Sequence, residues 1–309
     1  MASLSSGLNP NVVKTALDDV FNANFDIEQH PMYVDAGSES AFKQSTTDKQ
    51  AEIMEVFKGV GEWESTAEEQ PLPEGNPRVG DQITYTVVNY SKSVDVPKRF
   101  FDDDQHEVVN MMIADMARKA RISQNKNAFG TYRDAFSSTL CADGVALISD
   151  SHSNLNGNTV DNKVSGALSV TTLESAIVAL AEQKGQDNEI TGHVAKTLLV
   201  PTALFKEAVE ITESELLANT TDNNLNWISA KYGVRVATSP FLGANAGGSD
   251  AAWFLLAQNH SIYRWVRQGV ITDLVDYKYQ RNNNYIYKGE YREVYGAVTY
   301  EGIVGSNGS

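Results

Sequence analysis

The chain has a single cysteine, Cys141, so it offers neither an internal disulfide framework nor a cysteine-rich metal site. That thiol reads as a small buried hydrophobe. The sequence also lacks any apolar run near the ~18–20 residues that a bilayer span requires, and no charged-then-apolar signal segment opens it. The expectation is a soluble protein, made and used without crossing a membrane. Bases are in short supply: 25 Lys and Arg face 40 Asp and Glu, a formal net charge of −15. Gripping nucleic acid needs clustered cations to neutralise phosphates, so a DNA-binding groove is not expected. The same acidity favours solubility and opposes self-association unless apolar contacts outweigh it.

Motifs that carry chemistry are scarce as well. The five histidines, His30, His106, His152, His193 and His260, are far apart and in no HxxxH or HExxH spacing, so no zinc or iron site and no other metal site is expected. No P-loop and no GxGxxG after a strand are present, leaving no nucleotide or other cofactor site. Only Ser149-Asp150-Ser151-His152 could seed a hydrolase, because a serine needs a base and the base an orienting acid. Neighbours in sequence rarely form a triad, there is no GxSxG elbow, and a polar turn explains the cluster through local hydrogen bonds. No catalytic residue is assigned. Glu62, Glu64, Glu68, Glu69 and Glu74 lack the Asp/Asn periodicity and turn glycine of a calcium loop, and read as a solvated, self-repelling tip.

What is present is a chain of 309 residues, long enough for one large or two ordinary domains. Its most ordered stretch runs from Asp102 to about Phe136. Val109, Met112, Ile113, Met116, Ala117 and Ala120 recur at three- and four-residue spacing and predict one long helix, with Asp104 as its cap and Glu107 reaching back to it. Before it, residues 1–50 are polar, interrupted by a short helical stripe of Val12, Val13, Ala16, Leu17, Val20 and Phe21. Strands are expected from Ile53 to Val60 and from Ile83 to Val96, separated by a loop rich in Pro, Gly and Glu. A lone hairpin is marginal in water, so this excursion, like the arm, is expected to take its support from a neighbouring chain.

After the long helix, Leu168–Lys184 and Ala203–Glu213 are predicted helices. Thr171 or Thr172 caps the first, and Pro201 opens the second. Thr197–Pro201, Val234–Ala237, Trp253–Ala257, Tyr263–Val266, Val270–Tyr279 and Tyr285–Val304 are predicted strands. The last carries Tyr285, Tyr287, Tyr291 and Tyr295 on one face.

The order of these parts, with Asp102-Asp103-Asp104-Gln105 before the long helix, Asp143-Gly144-Val145-Ala146-Leu147-Ile148-Ser149-Asp150-Ser151-His152 after it and Leu198-Leu199-Val200-Pro201 opening a helix, resembles tailed-phage major capsid proteins of the Hong Kong 97-type fold. The branch it resembles includes the Mu-like major head subunits. The resemblance implies an α+β fold with an N-terminal arm at 1–50, an extended E-loop at 51–101, a P-domain with its spine helix at 102–164 closed by C-terminal strands at 266–309, and an A-domain at 165–265. It implies a protein without enzymatic activity that assembles in the host cytoplasm into the icosahedral head of a virion. Its partners would be copies of itself as hexamers and pentamers, a portal protein, a separate scaffolding protein and, where the head carries one, a cement protein. The shell would enclose double-stranded DNA without sequence-specific binding. Some relatives weld their shells by isopeptide bonds from an E-loop lysine. Here Thr66–Gly80 has no lysine, and Lys58, Lys92 and Lys98 fall toward the strand bases, so the expected shell is non-covalent. The same fold also serves encapsulin-like compartments that hold cargo enzymes, which is the alternative reading.

Overall fold

The computed structural model describes residues 10–25, 41–59, 77–103, 106–214, 226–276 and 284–309, together with 63, 65–68, 70, 71, 74, 75, 278 and 280. The long helix is the axis of the molecule. It runs as α3 from His106 to Arg133, about 42 Å at 1.5 Å per residue. It is shorter at both ends than its apolar spacing predicts. A separate turn of helix, α2 at Lys98–Asp102, ends where the Asp103 N–H bonds back to the Arg99 carbonyl. At the other end the Asp134 carbonyl accepts the N–H groups of Ser137, Ser138 and Thr139, which closes a turn that holds Phe136 and ends the helix short of it. The expected Asp104 cap lies outside the described residues. Val109, Ile113, Met116 and Ala117 of the expected stripe are buried, while Met112 lies in the exposed margin.

Two four-stranded sheets flank this axis. The first has the order β1-β10-β11-β4, from Lys43–Thr46, Ile262–Val275, Asn284–Ala297 and Val88–Pro97. Its inner strands are antiparallel, and β1 joins parallel to β10. The second has the order β12-β9-β7-β8, from Ile303–Ser306, Trp253–Ala257, Ala195–Pro201 and Arg235–Ser239. The expected strand Tyr285–Val304 is therefore two strands in two sheets, because the chain turns over at Val298–Gly302 and crosses from one to the other. The two expected strands from Tyr263 to Tyr279 are one, β10, whose register slips between Val266 and Ile271.

The second sheet is covered on both faces, which explains its near-continuous apolar strands. Leu198, Val200, Trp253, Leu255 and Val304 face two helices, α4 at Val170–Ala181 and α5 at Phe205–Glu213. Leu199, Phe254, Leu256 and Ile303 face the last turns of α3, where Phe129, Tyr132 and Ala135 are buried. The cap of α4 is Ser169 rather than a threonine. Its hydroxyl accepts the Thr172 N–H, and the Thr172 hydroxyl accepts the Ser169 N–H.

The first half of α3 lies on the first sheet, with Val109 and Ile113 against Val96, Tyr285 and Tyr287. Helix α1, Pro10–Phe25, completes that layer by burying Val13, Leu17 and Phe21. Here the structure corrects the sequence reading. The start of the chain was expected to find its support on another chain, yet its helical stripe packs on the chain's own long helix. Ala41 and Phe42 do likewise, with Phe42 edge-on to Tyr132 at 5.3 Å and to Tyr295 at 5.4 Å.

Candidate functional site

The hairpin that precedes the long helix presents the most exposed apolar surface among the described residues. Strands β2, Ala51–Lys58, and β3, Arg78–Thr86, pair antiparallel and carry the glutamate-rich loop at one end. Alternation gives the hairpin two faces. On one face Met54, Val56, Ile83 and Tyr85 pack on Trp265 and Val298 of the body. The Tyr85 ring stacks on Trp265 at 5.0 Å and its hydroxyl donates to the Ala297 carbonyl at 2.7 Å. Burial raises the pKa of that phenol far above its ordinary range. The brace expected from a neighbour is thus supplied, on this face, by the chain itself. On the other face Ile53, Phe57 and Val79 remain 57%, 58% and 64% exposed, and Trp63 in the loop is 99% exposed. Large apolar side chains gathered on one strand face and its loop are what a protein interface uses.

The strand expected to continue the hairpin, Tyr90–Val96, lies instead in β4 and pairs with β11 of the first sheet. Lys58 is opposite Arg78 at the loop end of the hairpin, not at its base, because β2 runs on to Lys58 past a register shift between Glu55 and Phe57. Lys92 and Lys98 belong to β4 and the start of α2.

A second set of contacts fixes α1. The Asp18 carboxylate accepts hydrogen bonds from the Thr272 and Tyr287 hydroxyls, both at 2.7 Å, and from the Lys14 ammonium at 2.6 Å. Burial opposes ionisation of this carboxyl, but the three donors outweigh it and hold the pKa below the usual value. Sequence reasoning missed Asp18, Tyr85 and Gly296, which lies against the Tyr85 ring. Thr272 and Tyr287 for Asp18, Ala297 for Tyr85 and Tyr85 for Gly296 are each more than two hundred positions away in the chain and leave no local signal.

The Ser149–His152 cluster resolves into a structural clasp. His152 is fully buried; its Nδ1 lies 2.7 Å from Asp143 Oδ2, its Nε2 lies 3.2 Å from the Leu147 carbonyl, and its ring lies tilted against Tyr300 at 4.8 Å. The Ser149 hydroxyl faces Ser151 at 2.9 Å instead of the imidazole. With both ring nitrogens engaged elsewhere, the cluster holds no serine–base pair. Burial raises the pKa of Asp143, but His152 and the Val145 N–H draw it net below the ordinary carboxylate value. Beside the clasp, Asn162 donates to the Leu147 carbonyl and accepts from the Ser149 N–H, while Gln183 donates to the Tyr300 carbonyl and accepts from the Gly302 N–H. These groups tie the turn after α3 to the chain as it enters β12. Cys141 is buried and free, and burial pushes its thiol pKa up. Among the described residues no three His, Cys, Asp or Glu side chains converge, and no helix is long and apolar enough to cross a membrane.

Comparison with known proteins places this architecture. The chain is similar over 91% of its length to a protein of Microbacterium phage Oxtober96, with a TM-score of 0.52, 10% identity and 93% of that chain covered. Its similarity to the capsid of Cyanophage P-SCSP1u covers 86% of the chain and 85% of the other, with a TM-score of 0.55 and 9% identity. With a virus-like particle from Pyrococcus furiosus the shared share is 95% and 97%, the TM-score 0.53 and the identity 11%. At such identities the likeness is one of fold. No curated protein matches the sequence. Residues 80–305, from β3 through β12, match the family described as phage capsid protein. With that match spanning both sheets and the long helix between them, the chain belongs to the phage capsid protein family and is a major capsid protein of the Hong Kong 97-type fold.

Proposed function

We propose that this chain builds the head shell of a tailed double-stranded DNA phage by self-association, with no chemistry of its own. In this reading residues 1–50 form the arm, 51–101 the E-loop, 102–164 and 266–309 the P-domain, and 165–265 the A-domain. The subunits meet as hexamers and pentamers, so each modest contact is repeated around closed rings. The observation that carries the proposal is the two-faced hairpin. One face is committed to the subunit's own body, while Ile53, Phe57 and Val79 on the other, with Trp63 in the loop, wait for a neighbour. The formal charge of −15 suits a container that holds DNA without gripping it. Portal, scaffolding and cement proteins are the expected partners, and assembly takes place in the host cytoplasm.

The match to a phage capsid family favours a DNA head over an encapsulin-like compartment, and double-stranded DNA inside purified particles would separate the two. The decisive experiment is deletion of residues 62–74 in a strain that supplies the other head proteins. The variant subunit should stay folded and soluble by circular dichroism, yet form no stable shells by electron microscopy. Normal shells from the deletion would mean that the hairpin loop is not the brace.

A further inference from the structure

His193 lies just before β7 and is 7% exposed. Its Nδ1 is 2.9 Å from the side-chain oxygen of Asn259, in the turn between β9 and β10. An amide oxygen only accepts, so Nδ1 carries the hydrogen and Nε2 the lone pair. That Nε2 is buried and has no hydrogen-bond partner among the described residues. His260, next to Asn259, is also buried, but its Nδ1 accepts the Ile262 N–H at 3.2 Å.

The charge that acts on His193 comes from Lys43 on β1. The Lys43 ammonium lies over the Tyr263 ring of β10, 5.7 Å from its centroid, and has no carboxylate partner among the described residues. A proton on Nε2 would therefore meet three penalties at once: an N–H without an acceptor, a charge where water does not reach, and a second cation nearby. Burial lowers the pKa of this imidazole and Lys43 lowers it further, while the Asn259 bond opposes them; the net is below the ordinary histidine value.

A charged His193 can be hydrated only if one of its walls gives way. On its own side, the Thr191 N–H and hydroxyl both donate to the Gln183 carbonyl, at 3.0 and 2.8 Å, and β7 is an inner strand of the second sheet. The opposite wall is weaker. β1 is an edge strand of four residues, and its pairing, Lys43–Thr46 with Tyr263–Val266, is to β10 alone. We propose that His193 is a proton-operated release for β1: acid charges the imidazole beside Lys43 and lets residues 43–46 come away from β10 while the rest of the fold stays closed. β1 leads through residues 47–50 into β2, so the strand released is the root of the hairpin.

Hydrogen exchange on the full-length chain, corrected for the intrinsic pH dependence of amide exchange, tests the release. A histidine with a lowered folded pKa contributes fully above its unfolded value of about 6.5 and loses that contribution as pH falls below it. One pH unit is a factor of about ten, so protection over 43–46 should fall about tenfold between pH 7.5 and 5.5 while that of β7 holds. His193→Gln retains an amide N–H for Asn259 but takes up no proton, and should show no fall. Lys43→Glu sets a carboxylate beside the imidazole and should also abolish the fall, which keeps the test decisive if the glutamine variant does not fold. The same tenfold fall in either folded variant overturns the release, because the proton then acts elsewhere, at His260 for example. Constant protection of 43–46 in the wild type overturns it too, as does an equal loss over β7, which marks general acid unfolding.

Discussion

Replacing Gly296 with alanine tests how the hairpin is held. Gly296 lies on β11 directly against the Tyr85 ring, and a Cβ there would sit 2.1 Å from Cε1 and 2.2 Å from Cζ. The backbone at this glycine is not left-handed, so alanine is opposed by space alone. To make room the tyrosine must leave its place, giving up the hydrogen bond to Ala297, worth about 0.5–1.5 kcal/mol net, and the Trp265 stack, worth a similar amount. Overpacking in cores costs about 1–3 kcal/mol, so Gly296→Ala should lose about 2–3 kcal/mol. Tyr85→Ala removes the obstacle along with its contacts and should cost about 3 kcal/mol by itself. In that background Gly296→Ala should cost almost nothing further. The assay is denaturant unfolding of the four proteins in a double-mutant cycle, with hydrogen exchange over 51–58 and 78–86 to confirm that the loss is hairpin undocking. Additive costs, or unchanged protection of those strands in Gly296→Ala, would refute the docking as described.

Other perturbations follow from the anchors. Because Asp18 has a depressed folded pKa, its contribution is complete above the unfolded value of about 3.9 and fades as pH falls through the folded value. Helix α1 should therefore loosen on acidification below about pH 4, and Asp18→Asn should destabilise by about 1–3 kcal/mol at neutral pH while flattening that acid limb; an unchanged limb argues against the anchor. His152→Ala leaves Asp143 buried without its main partner and should cost about 3 kcal/mol, measured by thermal unfolding and by reduced particle yield. A hydrolase would instead lose a turnover while keeping its stability. Assembled shells boiled in detergent should run as monomers, since Thr66–Gly80 offers no lysine for an isopeptide bond; a ladder of covalent multimers would show that another lysine serves.

The periodicity of Val109, Ile113, Met116 and Ala117 made the long helix legible, because burial along one helical stripe is a local pattern. The tyrosine face of β11 and the apolar runs of β7 and β9 were legible for the same reason: strand alternation and two-sided burial are written in neighbouring residues. The hairpin showed itself as two β-rich segments around a Pro, Gly and Glu loop. Its support did not. A stripe such as Val13, Leu17 and Phe21 states that one face must be covered, but not whether the cover is the same molecule or its neighbour.

By itself, then, the sequence determined the elements, the anionic character of the loop and the absence of a metal-ligand or nucleotide motif. The tertiary structure alone decided that α1 and the inner hairpin face close on their own body, that His152 is committed to Asp143 and Leu147, and that β11 and β12 part into different sheets. The reason is physical. Helix and strand formation depend on residues a few positions apart, whereas the contacts of Tyr85 with Ala297 and of Asp18 with Thr272 close loops of more than two hundred residues, and only the assembled cores supply the free energy that closes them.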